Sequence, residues 1–478
     1  MWPIVRQFCV PADRGSVGVA PPSGGGCGGG TNDVAGALLA HRPPTCLSGV
    51  VMPTSSPARF GSLRVIVAAA AMVLLATACS GTGASNTADG ASTSGNGDGD
   101  AKVVTIGVIA PLDNGLTDFG RGIANSVQLA VDQANERNAI PGYRIAVEAL
   151  DDSSDPAVGE QAAQTLAADP TVIGVVGTYN SGVAAVAAPV LAEADIVMVS
   201  PANTDPTLTV GTDRANPARV NDNYFRVVAT DADQGRLLAG YASDDLGAAT
   251  VAVVTESKSV SSGLANDFVA AFTAAGGTVL SFETLPDDRA SYNLPAAATA
   301  AAAVNPDFTF FGGEYEVAAQ FTNALGAAGF AGPVMGGDGM KDDRFITVAG
   351  AASDGSLASS VGVPNSELDA PDFFAAYDAA GFTAAPTDYG PYAFDATNLL
   401  IAAAAEALAN DDDGAGDAAG DVASKRLAVR DLVQGTRYNG ITGTVAFDEF
   451  GDTTTREFTI FEVTDGTWKP VVTRQLTD

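Results

Sequence analysis

From Val103 onward the chain alternates short apolar runs with segments of helical period. The pattern predicts strands over 103–109, 145–150, 172–176 and 196–199, separated by helices around 122–135, 156–167 and 183–192. The rhythm restarts at Thr250, with further strands predicted over 250–254, 277–282, 308–311 and 334–335. Runs of Val and Ile bounded by turn residues suit strands covered on both faces, and helical crossovers between them imply parallel pairing. Lys102 to Asp478 is 377 residues, more than one core usually serves. The expected fold class is therefore α/β, with two doubly wound parallel-sheet lobes.

The pattern upstream is different. Val65 to Ala76 is an apolar run of twelve residues preceded by Arg59 and Arg64 and followed by Thr77, Ala78 and Cys79. A charged flank, a short apolar stretch and small residues before the cut are the parts of an export signal, and the run is too short to span a bilayer. The segment resembles the signal of bacterial lipoproteins, although Ala76 stands where those signals more often carry Leu. That resemblance implies cleavage before Cys79, acylation of its thiol, and a protein anchored by lipid on the outer face of the cytoplasmic membrane. Residues 52–78 are assigned to the signal. Residues 1–51 have neither helical nor strand period and read as unstructured, or as sequence ahead of a true start at Met52. Residues 79–100, rich in Gly, Ser, Thr, Asn and Asp, read as a flexible tether.

Cleavage there removes much chemistry. Cys9, Cys27 and Cys46 and the single histidine, His41, all precede the cut. No internal disulfide, His-dependent nucleophile or zinc site built on His and Cys remains, so no metal and no cofactor is expected and an enzyme is disfavoured, with carboxylate, lysine or tyrosine catalysis the chemistry still open. The formal net charge of −32 repels nucleic acid and favours solubility. Asp411, Asp412, Asp413, Asp417 and Asp421 form a glycine-spaced acidic loop without the closing glutamate of a calcium loop, which reads as a solvated insertion.

Ligands of open α/β sheets bind beyond the carboxyl ends of strands, so the residues following each strand are the candidates. After the third strand, Gly177-Thr178-Tyr179-Asn180-Ser181-Gly182 opens a helix and offers N–H groups and a hydroxyl to an anion; a plain helix cap by Ser181 is the alternative. No lysine follows the glycines, so no Walker loop is present. Ser200-Pro201-Ala202-Asn203-Thr204 lies on the same edge and reads equally as a site or a turn. Phe119 lies in the first loop of that edge, either lining a pocket or packing. In the second lobe Tyr315 and Asp338 each follow a strand, and Asp338 is flanked by glycines that let a ligand approach the backbone.

Several stretches together carry a family resemblance: Ile106 to Leu112; Asp151-Asp152 with Asp155-Pro156; Ser200 to Thr204; Gly235 with Ala239 and Tyr241; Gly312-Gly313; and Gly443 to Asp448. From about Val103 to Val471 the chain resembles the receptors of ABC importers for branched-chain amino acids, of the type I periplasmic binding fold. The resemblance implies a first lobe of 101–227 and 361–436, a second lobe of 228–360 and 437–478, and three hinge crossings near 227, 361 and 437. It further implies that Ser181, Ala202 and Thr204 hold a ligand's carboxylate and part of its ammonium. Tyr315 and Asp338 would complete the ammonium site, with Phe119, Tyr179 and Val260 in the side-chain pocket. Two departures bear on the ligand. Val260 stands where the family often has an aromatic residue, and Asp338 where several relatives have glutamate. The expected function is capture of an amino acid and delivery to an ABC permease. A ligand sensor of the same fold, or a receptor for an amide or urea-type solute, is the alternative.

Overall fold

The computed structural model describes residues 102–409 and 422–476, without the side chains of 259–261. The leader, the export signal with Cys79, the tether and the acidic loop of 411–421 lie outside the described residues.

The first sheet is formed by β1 (Lys102–Ala110), β2 (Tyr143–Asp151), β3 (Val172–Gly177), β4 (Val197–Ser200) and β5 (Tyr224–Arg226). Its order is β2-β1-β3-β4-β5 and every pairing is parallel. Helix α1 (Thr117–Glu136) packs on one face, together with α11 (Gly390–Ala409) from late in the chain. Helices α2 (Pro156–Ala168) and α3 (Ser181–Glu193) bury Leu166, Val183 and Leu191 against Ile109, Val175 and Met198 of the strands. The near-continuous apolar runs of β3 and β4 follow from this double cover. Helix α12 (Arg426–Gln434) is tied on by Arg426, whose guanidinium donates to the carbonyls of Asp169, Val172 and Ala194 at 2.7–3.2 Å.

The second sheet has the order β14-β13-β10-β9-β8-β6-β7. β6 (Thr250–Thr255), β7 (Thr278–Thr284), β8 (Phe308–Gly312), β9 (Val334–Gly336) and β10 (Leu357–Val361) run parallel. β13 (Glu457–Thr464) and β14 (Thr467–Gln475) add an antiparallel margin that the apolar-run pattern does not foretell. Helices α5 (Asp231–Gly240), α6 (Ser259–Ala274), α7 (Leu294–Ala303), α8 (Tyr315–Ala327) and α9 (Asp343–Ala349) complete the lobe.

Three segments cross between the lobes. Val227–Ala229, Val361–Gly362 and the stretch from Thr453 to Glu457 line a common small cavity, and the Gly362 amide donates to the Glu457 carbonyl at 2.7 Å. The third crossing thus comes later than residue 437. The hairpin of β11 (Arg437–Gly440) and β12 (Gly443–Ala446) stays with the first lobe, because the buried Asp395 of α11 accepts the Ile441 and Thr442 amides at 3.0 and 2.8 Å.

One buried group in the first lobe sets a pH dependence. Asp152, directly after β2, is fully buried, and burial pushes its carboxyl up to about 7 against the opposing hydrogen bond from the Ser154 amide. The native state therefore holds a proton that the unfolded chain releases above its ordinary carboxylate value, and this contribution is lost as pH rises through about 7. Asp152→Asn mimics the protonated form. Its melting temperature is expected to exceed the wild type's by several degrees near pH 8 and to match it near pH 4. An equal difference at both pH values would contradict this.

Candidate functional site

The carboxyl ends of β3 and β4 in one lobe and of β8 and β9 in the other border a cavity of about 300 Å³. It opens between the lobes and is lined by the loops that follow those strands.

On the first-lobe side the β3–α3 turn is forced by sterics. Gly177 has φ +145°, and a Cβ there would run into the Ile109 carbonyl. The turn ends at Asn180, the residue that caps α3, so Ser181 is the first helical residue and not its cap. Val183 and Ala184 donate the first helical bonds to the Asn180 carbonyl, so the Ser181 and Gly182 amides precede that ladder at the cavity wall. Such a helix start with its hydroxyl favours an anion. Ala202 and Thr204, from the β4 loop, line the same wall.

The second-lobe wall is acidic. Asp338 follows β9; its carboxylate accepts from the Gln234 amide at 2.9 Å and from the Tyr389 hydroxyl at 2.7 Å, and its own amide donates to Gln234 Oε1 at 3.0 Å. Burial raises its pKa, and the Tyr389 and Gln234 hydrogen bonds hold the rise in check. A side chain at Gly337 would displace both Gln234 Oε1 and Leu264, so that position must lack a Cβ for Gln234 to reach Asp338. Lys258 also lines the cavity, with its ammonium 3.0 Å from Glu314 Oε2, and Glu314 accepts from Asn180 of the other lobe at 3.1 Å.

Sequence reasoning missed Asp231, the first residue of α5. It is fully buried and lines the cavity, and neither carboxylate oxygen has a hydrogen-bond partner of good geometry among the described residues. Burial drives its pKa well above the ordinary carboxylate range, the charge of Asp338 adds to the rise, and the Thr204 hydroxyl opposes it. Its amide donates to the Thr204 carbonyl at 2.8 Å, so the hydroxyl-bearing wall and the acidic wall meet at these two residues. An unpaired buried carboxylate is costly unless a cation joins it. The signal in the sequence was Asp231-Ala232-Asp233-Gln234 directly after the first crossing, indistinguishable there from an ordinary acidic helix start. Tyr389, ahead of α11, was missed as well.

Of the eight residues expected at the site, Tyr179, Ser181, Ala202, Thr204 and Asp338 line the cavity. Phe119 and Tyr315 are not among the residues lining it. Phe119 stacks behind Tyr179 with ring centroids 4.8 Å apart and meets Tyr389 edge-on at 5.4 Å. Tyr315 packs edge-on to Phe119 and lies under the Arg344 guanidinium at 4.4 Å. Both rings build the wall's backing because Tyr179 already occupies its inner surface. The Val260 side chain lies outside the described residues. Pro156, Val183 and Leu264 supply apolar lining. The wall thus offers hydroxyls and helix-start amides beside the carboxylates of Asp231 and Asp338, with Glu314 already paired to Lys258, within apolar surroundings, which matches a small zwitterion carrying an aliphatic group. Among the described residues no group of three or more His, Cys, Asp or Glu is arranged to hold a metal.

Comparison with known proteins identifies the family and its fold. The profile of the family described as Periplasmic binding protein matches residues 103–467. "Leu/Ile/Val-binding protein homolog 3" of Brucella melitensis is 28% identical over 364 residues, covering 76% of this chain and 92% of its own length. "Leu/Ile/Val-binding protein BraC3" of Rhizobium johnstonii is 29% identical over 360 residues, covering 75% and 91%. Among solved structures, a leucine binding protein of Thermotoga maritima superposes with TM-score 0.65 at 25% identity, over 77% of this chain and 98% of that one. An ABC transporter substrate-binding protein of Desulfitobacterium hafniense in complex with Leu gives 0.60 at 25%, over 77% and 100%.

Proposed function

The chain belongs to the periplasmic binding protein family, and we propose that it is an extracytoplasmic receptor that closes over an aliphatic α-amino acid and passes it to an ABC importer. One observation carries the reading: Asp231, buried and with no hydrogen-bond partner of good geometry among the described residues, stands beside Asp338 and adjoins the Ser181 and Thr204 donors in a largely apolar cavity. In an α-amino acid the carboxylate and ammonium are one carbon apart, as the adjoining Thr204 and Asp231 walls require. The carboxylate takes the α3 amides and the Ser181 and Thr204 hydroxyls, and the ammonium bridges Asp231 and Asp338 by charge-assisted hydrogen bonds. Pro156, Tyr179, Val183 and Leu264 receive the aliphatic group. Relatives described as binding Leu, Ile and Val support that choice. A ligand touching both lobes only when they are closed shifts the open and closed populations, and no bond need be broken.

Cys79 carries the proposed lipid anchor, and among the described residues no helix is long and apolar enough to cross a membrane. Membrane-extracted protein is expected to gain the mass of acyl chains, and Cys79→Ser to lose both that mass and membrane retention.

A thermal-shift panel on residues 80–478 tests the ligand class, since a solute bound only by the folded state raises the melting temperature. Leucine, isoleucine and valine are expected to raise it and sugars and nucleosides not to. A shift with amides or urea alone would remove the ammonium site from the account.

A further inference from the structure

We infer that Asn203, which does not line the cavity, is a positioning residue that locks the two carboxylate-binding loops of the first lobe into one rigid unit. The inference rests on the proposed function in taking those loops as the ligand's carboxylate site. Asn203 is fully buried between them. Its side-chain amide donates to the Thr178 carbonyl at 3.0 Å and the Tyr179 carbonyl at 2.9 Å, both in the β3–α3 turn. Its Oδ1 accepts from the Tyr224 hydroxyl at 3.0 Å. Asn203 itself stands between Ala202 and Thr204, so one side chain ties the loop bearing those two residues to the turn bearing Ser181.

The anchor beneath it is Arg226, also fully buried. Its guanidinium donates to the Asn203 carbonyl at 3.0 Å, to Thr209 Oγ1 at 2.8 Å and to Asp452 Oδ1 at 2.6 Å. Asp452 belongs to the segment leading into the third crossing, so the loop is fixed from the hinge side as well as from β3. The first-lobe wall offers an anion amides and hydroxyls and no cation of its own, Lys258 of the other lobe being paired with Glu314; its affinity depends on donors held in place before the ligand arrives. Asn203 fits that task because it can donate two hydrogen bonds and accept others at once. Aspartate has the same shape but turns an acceptor toward two carbonyls.

The test compares Asn203→Ala and Asn203→Asp with Asn223→Ala. Asn223 is an equally buried asparagine of the same lobe, whose amide donates to the Ala188 and Ile196 carbonyls away from both loops. All variants are compared at a temperature well below melting. In the ligand-free protein, hydrogen exchange of amides in 178–183 and 202–205 is expected to speed up at least about tenfold in both Asn203 variants and to stay at the wild-type rate in Asn223→Ala. Leucine titration is expected to show at least about thirtyfold weaker binding for the Asn203 variants and less than about threefold for Asn223→Ala. If all three lose stability alike and show the same loop exchange and the same affinity change, Asn203 is a core residue only and the inference fails. If the wild type does not bind leucine, the proposed function fails, while the exchange comparison still decides whether Asn203 locks the loops.

Discussion

Asp338→Ala is expected to weaken leucine binding by more than tenfold, at least about 1.4 kcal/mol. The substitution removes one of two carboxylates that the ammonium would bridge, and it also releases Gln234 and Tyr389, whose donors are spent on that carboxylate. A buried ammonium left short of an acceptor costs more than a neutral hydrogen bond, which is why the effect exceeds that of an average polar contact. Asp338→Asn keeps the shape and one acceptor and should lose less. Calorimetry with leucine on both variants, each checked for an intact melting transition, decides the matter. Unchanged affinity in Asp338→Ala would remove Asp338 from the site.

The second large effect is the pH dependence of binding, set by Asp231. Asp338, Asp205 and Asp267 all bear on its carboxyl with like charge, Asp267 being itself paired with Arg214 at 2.5 Å. In the empty cleft these and burial keep Asp231 protonated well above the ordinary carboxylate range; an arriving ammonium favours the ionised form and expels that proton. Affinity must then rise with pH while free Asp231 is protonated and level off once it is not. The slope approaches about tenfold per pH unit. Leucine titrations from about pH 5 to about pH 8, in buffers of different ionisation heat, are expected to show tighter binding and proton release. Asp231→Asn is expected to bind leucine at least about thirtyfold more weakly near pH 8 and to flatten the profile. A wild-type affinity that does not change with pH would contradict the assignment.

Much of the fold could be read from the chain because its central strands are covered on both faces. β1, β3, β4, β6 and β8 carry near-continuous apolar runs, and that signal survives without any tertiary context. β5 escaped because it is three residues long and ends in Arg226, a charge made tolerable in the core by Asp452 far along the chain. β10 reads Leu-Ala-Ser-Ser-Val, with buried hydroxyls answered by Gln234 and Asp388. In both strands the partner that pays for burial is remote in sequence. The site divides the same way. Ser181, Ala202, Thr204 and Asp338, which line the cavity, follow strands where that rule looks, whereas Asp231 opens a helix after a crossing. What distinguishes it from other acidic helix starts is burial without a well-formed hydrogen bond among the described residues, a property of the folded molecule. Phe119, open in the sequence between lining a pocket and packing, and Tyr315, which the resemblance places at the ammonium, form a second layer, and the ring of Tyr179 fills the first.

The most direct measurement is a titration of the protein with leucine beside two truncated analogues, 3-methylbutylamine, which lacks the carboxylate, and 4-methylpentanoate, which lacks the ammonium. Leucine is expected to bind, and each analogue to bind at least about a hundredfold more weakly, because each leaves one polar wall of the cleft unanswered. Binding of either analogue as tightly as leucine, or no binding of leucine at all, would contradict it.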